Sequence, residues 1–189
     1  MVFSPVNPVE FIDVLTDNGE PTGITRSRAA VHQNGDLHRT VHIWISNSDG
    51  EVLLQKRSQT KENHPGLWDM ACAGHISSGE TSLESALKEL KEELGIEFQS
   101  QDLRYLFSEK SEFILQDGRY IDREIHDIYL ITKNIPISSF KIQKSEVEDL
   151  KYVAISVFCH QAIEKDPCLV PHFSEFLKVI EYLKSCSWC

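Results

Sequence analysis

Three glutamates, Glu89, Glu92 and Glu93, lie close together in the segment GHISSGETSLESALKELKEELGI, residues 74–96. On a helix turning about 100° per residue, Glu92 and Glu93 fall within roughly 60° on either side of Glu89, so the three carboxylates share a face. Like charges so spaced oppose helix formation by a few tenths of a kcal/mol per pair, and the cluster wants a counter-ion. Magnesium suits it, being a hard cation that accepts a few carboxylates and completes its shell with water and substrate phosphate. The chemistry such a site supports is attack of water on a phosphoryl group. An acidic run can equally be a solvated helix face, since Glu and Lys are strong helix formers. The surrounding residues separate the two readings.

Positioning those acids falls to the helix itself. Leu83, Ala86, Leu87, Leu90 and Leu94 recur at steps of three and four and form an apolar stripe over 81–94. Thr81 with Glu84 predicts a capping box, and Gly95 a left-handed C-cap. Ahead of the glycine-rich turn, LWDMACAGHI reads as one buried strand. In VHIWISN, Val41, Ile43 and Ile45 alternate with His42, Trp44 and Ser46, the pattern of a half-buried strand. A turn at Ser48 to Gly50 returns the chain as EVLLQKR in a hairpin.

The first part of the chain predicts short strands around a turn at Asp17 to Gly19, then a polar loop carrying His32 and His38. DLRYLFSEK and YIDREIHDIYLITK predict two further strands around a turn at Gln116 to Gly118. Helices are expected over roughly 155–164 and 173–184, the second with Phe173, Phe176, Leu177, Ile180 and Leu183 on one stripe. Strands, helix, strands and helices in that order imply a mixed sheet between helices, an α/β/α sandwich. Trp44, Trp68 and Phe113 read as core or rim packing rather than as stacking platforms for a base.

With 189 residues and 41% hydrophobic content, the chain is expected to form one domain. A net charge of -10 disfavours a nucleic-acid polymer or an anionic membrane as partner and favours a small phosphorylated substrate reached through cations. The start, MVFSPVNPVEF, has neither a basic lead nor an apolar run, and no stretch approaches the roughly 20 apolar residues of a membrane span, so a cytoplasmic location is expected. Five cysteines in no regular framework read as reduced thiols, and the terminal CSWC as a solvent-facing tail.

The segment 74–96 resembles the Nudix box: Gly, five residues, Glu, seven residues, Arg-Glu, an aliphatic, any residue, Glu-Glu, any residue, Gly, an aliphatic. Gly74, Glu80, Glu89, Leu90, Glu92, Glu93, Gly95 and Ile96 fall on it, with Lys88 in the arginine position. Lysine keeps the charge there and loses the planar fork that grips a carboxylate bidentately. The resemblance implies a Nudix-type α/β/α sandwich with a mixed β-sheet over 1–189, divided into a strand and loop extension (1–36), a core (37–165) and a C-terminal helix and tail (166–189). It also implies hydrolysis of a diphosphate linkage in a nucleotide or other small diphosphate, with Mg²⁺ (or Mn²⁺) held by Glu89, Glu92 and Glu93 and with Glu80 orienting the loop.

Over roughly residues 9–172 the chain is similar to the Nudix branch of type I isopentenyl diphosphate isomerases and their hydrolase-like relatives. That similarity implies a further metal site at His32, His38, His75, Asp122 and Glu124, and a diphosphate grip by Arg28, Arg57 and Lys61. Glu124 is then general base, metal ligand or acid partner. The isomerases also place a proton-transferring cysteine immediately before the Gly-His of the box loop. Here Ala73 occupies that position and Cys72 precedes it, and adjacent strand side chains point to opposite faces. The complete carboxylate box and Ala73 together favour a hydrolase; an isomerase and a non-catalytic diphosphate-binding module are the alternatives.

Overall fold

The computed structural model describes residues 9–115 and 118–185. The CSWC ending and part of the turn expected at 116–118 lie outside them. Strand β3 (His38–Ser46) is the spine of the architecture. Its alternation was expected to leave one face half exposed, but both faces are covered. Val41, Ile43 and Ile45 pack in one apolar cluster with Ala86, Leu90 and Leu94 of α2 (Ser82–Leu94). Trp44 packs in a second cluster with Phe158 of α3 (Ile155–Ile163) and Phe176 of α4 (Phe173–Ser185). A strand central to a sheet between two helical layers buries both of its faces, which is why His42 is buried as deeply as its apolar neighbours.

The main sheet runs β5–β4–β3–β8–β7, with β6 also pairing β3 and β9 pairing β4. These strands are β4 (Glu51–Arg57), β5 (Trp68–Asp69), β6 (Cys72–His75), β7 (Arg104–Leu115), β8 (Tyr120–Thr132) and β9 (Val147–Ala154). Only β3 and β8 are parallel among the named pairings of this sheet, so it is mixed, as expected. The β3–β4 hairpin is paired at Ser46↔Val52 and then splays, β3 going on to β6 and β4 to β9. LWDMACAGHI is two short strands, β5 and β6, with Met70 and Ala71 buried between them.

The expected loop around His32 is a helix, α1 (Arg28–Asn34). The Ser27 side chain accepts a hydrogen bond from the Ala30 amide at its start, and Gly35 (φ 67°) closes it in the left-handed region. The short span hides its signal, because seven residues give barely two turns. Helix α2 carries both expected caps: Thr81 and Glu84 form the capping box and Gly95 is left-handed at φ 64°. On α4 the buried stripe is Phe176, Val179, Ile180 and Leu183, whereas Leu177 is 39% exposed. Trp44 is core, and Trp68 lies under the Lys151 ammonium, 3.8 Å from the ring centroid.

Strands β1 (Phe11–Leu15) and β2 (Pro21–Ser27) form a separate two-stranded sheet. β1 docks on the glycine-rich turn: the Ser78 amide donates to the Phe11 carbonyl at 2.8 Å, and Ser78 Oγ donates to Asp13 Oδ1 at 2.6 Å. Cys72, Cys159 and Cys168 are free thiols. Among the described residues, no helix is long and apolar enough to cross a membrane.

Candidate active site

A cleft of about 710 Å³ opens between the N-terminal end of α2's preceding turn, α1 and the ends of β3, β6 and β8. All three box glutamates line it. Glu93 is buried at the base, Glu89 is half-buried and Glu92 is exposed at the rim. Glycine at position 74 has a direct reason: a Cβ built there would overlap the Glu89 carboxylate, so strand β6 comes close enough to cradle that acid. Glu80 is bonded by Ser85 Oγ at 2.7 Å and paired with Lys88 Nζ at 3.3 Å, so the lysine engages Glu80. The turn is thereby tied to the helix it precedes.

Crowding shows in the electrostatics. Burial, together with the charges of Glu93 and Glu92, pushes the Glu89 carboxyl up to about 8. Burial also raises Glu93, although the Lys61 ammonium and the Cys72 thiol act against the rise. A nearby divalent cation would return both groups to the ionised form. Cys72 points into the core and donates its S–H to Glu93 Oε2 at 3.3 Å, while Ala73 is the residue of this pair that lines the cleft.

A second group of side chains gathers where His75, Asp122 and Glu124 reach the cleft, with His32 and His38 buried beside them. His32 from α1, His38 from β3 and His75 from β6 bring ring nitrogens within 4.8 Å of one another, and Nε2 of His32 lies 3.1 Å from Nε2 of His75. Glu124 Oε1, from β8, is 3.3 Å from His38 Nε2 and 3.7 Å from His75 Nε2. Asp122 Oδ1 is 3.5 Å from His32 Nδ1. His32 Nδ1, His38 Nε2 and Asp122 Oδ1 are buried without a hydrogen-bond partner. Converging donors left unpaired fit a divalent cation held by mixed nitrogen and oxygen ligands.

The protonation pattern agrees with that fit. Burial, reinforced by His38, lowers His32 to about 4, and burial with the Arg28 charge carries His75 well below its usual value. Neutral imidazoles offer a lone pair. Burial and the neighbouring Glu124 charge raise Asp122 to about 8. Glu124 goes the other way: burial favours its protonation, but the close approach of His38 and the other surrounding histidines holds it ionised.

All three expected cations reach the cleft, each with an acidic neighbour. Arg28 stands 3.6 Å from Glu10, Arg57 pairs with Asp69 at 3.2 Å, and Lys61 pairs with Glu146 while its Nζ is 4.0 Å from Glu93. Phe113 also lines the cleft, in an edge-to-face contact with His172. Sequence reasoning missed Glu10, Tyr120, His42, His126, His172 and Glu175. Glu175 did leave a trace: a carboxylate four residues before Val179, on the buried side of α4, breaks an otherwise apolar stripe.

A family model described as "NUDIX domain" matches residues 36–173. The Arabidopsis thaliana protein named Nudix hydrolase 3 is 43% identical over 166 residues, which are 86% of this chain and 22% of that protein. The chain thus spans about a fifth of the length of that relative. An isopentenyl-diphosphate Delta-isomerase of Pectobacterium atrosepticum is 31% identical over 149 residues, 78% of each chain. A crystal structure from Deinococcus radiodurans matches the fold with a TM-score of 0.69 at 18% identity, covering 94% of this chain and 99% of that one.

Proposed function

The chain belongs to the Nudix family, and from that premise we propose that it is a hydrolase that cleaves the diphosphate linkage of a nucleotide or other small diphosphate. The observation that carries the reading is the convergence of the Glu89, Glu92 and Glu93 carboxylates with Arg28, Arg57 and Lys61 on one cleft. A cluster of acids alone would repel a diphosphate; the cations and a bound ion are what admit it. Mg²⁺ or Mn²⁺ on the box glutamates would polarise the phosphoryl oxygens and acidify the attacking water.

The chain's own residues do the rest. Arg28, Arg57 and Lys61 draw the diphosphate into register and offset its charge, exchanging a carboxylate partner for a phosphate. Glu124, held ionised among histidines, is able to accept a proton, and Glu93 is the second candidate acceptor. His32, His38, His75, Asp122 and Glu124 would hold a further divalent ion.

The test is release of phosphate, nucleoside monophosphate or pyrophosphate from a panel of nucleoside and isoprenoid diphosphates, with and without Mg²⁺. Turnover should require the metal, and Glu93→Gln should lower it on the order of 10² to 10⁴-fold. Undiminished turnover in that variant would remove Glu93 from the chemistry.

The assembled histidines, in a chain 31% identical over 149 residues to an isopentenyl-diphosphate Delta-isomerase, support a second reading: isomerisation of isopentenyl diphosphate. Against it, the residue facing the cleft where a proton must move is Ala73, and Cys72 is committed to Glu93. Burial and the Glu93 charge also raise the Cys72 thiol well above its ordinary value. Incubation of isopentenyl diphosphate in deuterated water should give neither label exchange nor dimethylallyl diphosphate; either product would reinstate the isomerase.

A further inference from the structure

Helix α4 docks through Phe176, Val179, Ile180 and Leu183, which are buried and sufficient to seat it. Glu175 sits among them at 2% exposure, two residues beyond the last residue of the family match. A buried carboxylate costs more than an apolar side chain of similar size, so docking alone does not account for it. Both of its oxygens are engaged. Oε2 meets His42 Nδ1 at 2.7 Å and Oε1 accepts from Trp44 Nε1 at 2.9 Å.

His42 leads from that carboxylate to the cleft, which it lines. Its ring stacks on His126 with centroids 4.0 Å apart and planes 21° from parallel. His126 Nδ1 lies 3.3 Å from Glu124 Oε2, and the His126 ring is pinned at both nitrogens, by Thr40 Oγ1 at 2.7 Å and Ser111 Oγ at 2.6 Å. A rigid path therefore runs from α4 through two imidazoles to Glu124. We propose that Glu175 is a positioning residue for the cleft, acting through His42 and His126 to set the orientation of Glu124. The Glu175–His42 pair works as carboxylate–histidine pairs do elsewhere: the acid fixes the tautomer and plane of the ring, whose face then stacks on His126. Burial opposes charge on both members, yet their attraction holds His42 up at about 9 and Glu175 down at about 2, which is the state of an intact pair.

The experiment uses the full chain and its Glu175→Gln variant, which keeps volume and removes the charge. Imidazole ¹⁵N spectra at pH 7, recorded without added metal, should show His42 protonated at both nitrogens in the parent and at one in the variant, with the His126 resonances shifted. Turnover of the diphosphate found in the panel above should fall on the order of 10-fold in kcat at unchanged KM, with Glu175→Asp recovering part of the loss. Trp44→Phe removes the other donor to Glu175 and spares His42, so it should lower stability and leave kcat unchanged. Unmoved His126 resonances, an unchanged kcat in Glu175→Gln, or an equal loss in Trp44→Phe would each overturn the assignment. The turnover arm presupposes diphosphate hydrolysis, whereas the spectral arm does not, so failure of one is distinguishable from failure of the other.

Discussion

On one wall of the cleft, Glu89, Glu92 and Glu93 lie within a single turn and a half of α2, a helix that carries its own caps and its own apolar stripe. In the second wall, His75 from β6 and Asp122 with Glu124 from β8 line the cleft, His32 from α1 and His38 from β3 are buried beside them, and the brace, Glu175, comes from α4. The first wall crowds like charges together and pushes the Glu89 and Glu93 carboxyls up; the second keeps Glu124 ionised beside His32 and His75, whose protonation burial opposes. A wall built from one helix is set by local spacing. A wall built from four elements and braced by a fifth exists only when the whole sheet has formed, because its members meet one another across long stretches of chain. The two also differ in ligand character, oxygen alone against nitrogen with oxygen, which is a difference in the ions each would favour.

The largest expected effect comes from forcing the walls apart. Gly74→Ala places a methyl group against the Glu89 carboxylate, and kcat/KM for diphosphate hydrolysis should fall by about 10²-fold, the cost of displacing a reacting group by an ångström, while the circular dichroism stays unchanged. Undiminished activity would mean that Glu89 has room to move. Next, His38→Gln removes one buried nitrogen from the histidine wall, and calorimetric Mn²⁺ binding should weaken on the order of 10-fold. Equal affinity in the variant would leave the box glutamates as the whole metal site.

A smaller effect is read in pH. The folded chain holds Glu175 at about 2, below its ordinary 4.5, so that group's stabilisation is complete above pH 4.5 and is lost as pH falls through about 2. It holds His42 at about 9, above its ordinary 6.5, so that contribution is complete below pH 6.5 and is lost as pH rises through about 9. The gap in Tm between the parent and Glu175→Gln should therefore be widest between these ordinary values and should narrow toward pH 9, at roughly 2 to 4 °C per kcal/mol. A gap independent of pH would break the pair as an ionic unit. The smallest effect tests the self-sufficiency of α2: Thr81→Ala deletes half of the capping box and should cost about 1 kcal/mol by chemical denaturation, with activity retained.

The carboxylate wall, its helix, both caps and the leucine stripe were legible in the sequence because helical geometry converts spacing directly into direction. The order of elements and the α/β/α layering were legible too, since apolar periodicity reports which faces must be covered. Other features were not. His42 reads as the polar side of a half-exposed strand until α4 covers it, α1 is too short to show a period, and the β3–β4 hairpin splays because two later strands, β6 and β9, take its free edges. Arg28, Arg57 and Lys61 were named from resemblance; that each faces the cleft beside an acid follows from the fold bringing together the start of α1, the end of β4 and the loop after it. By itself the sequence determined a carboxylate helix and the family chemistry written on it, because those rest on interactions between near neighbours. Only the tertiary structure decided that α4 reaches across to the histidine wall, because the Glu175–His42 contact joins residues 133 positions apart and no local pattern encodes such a meeting.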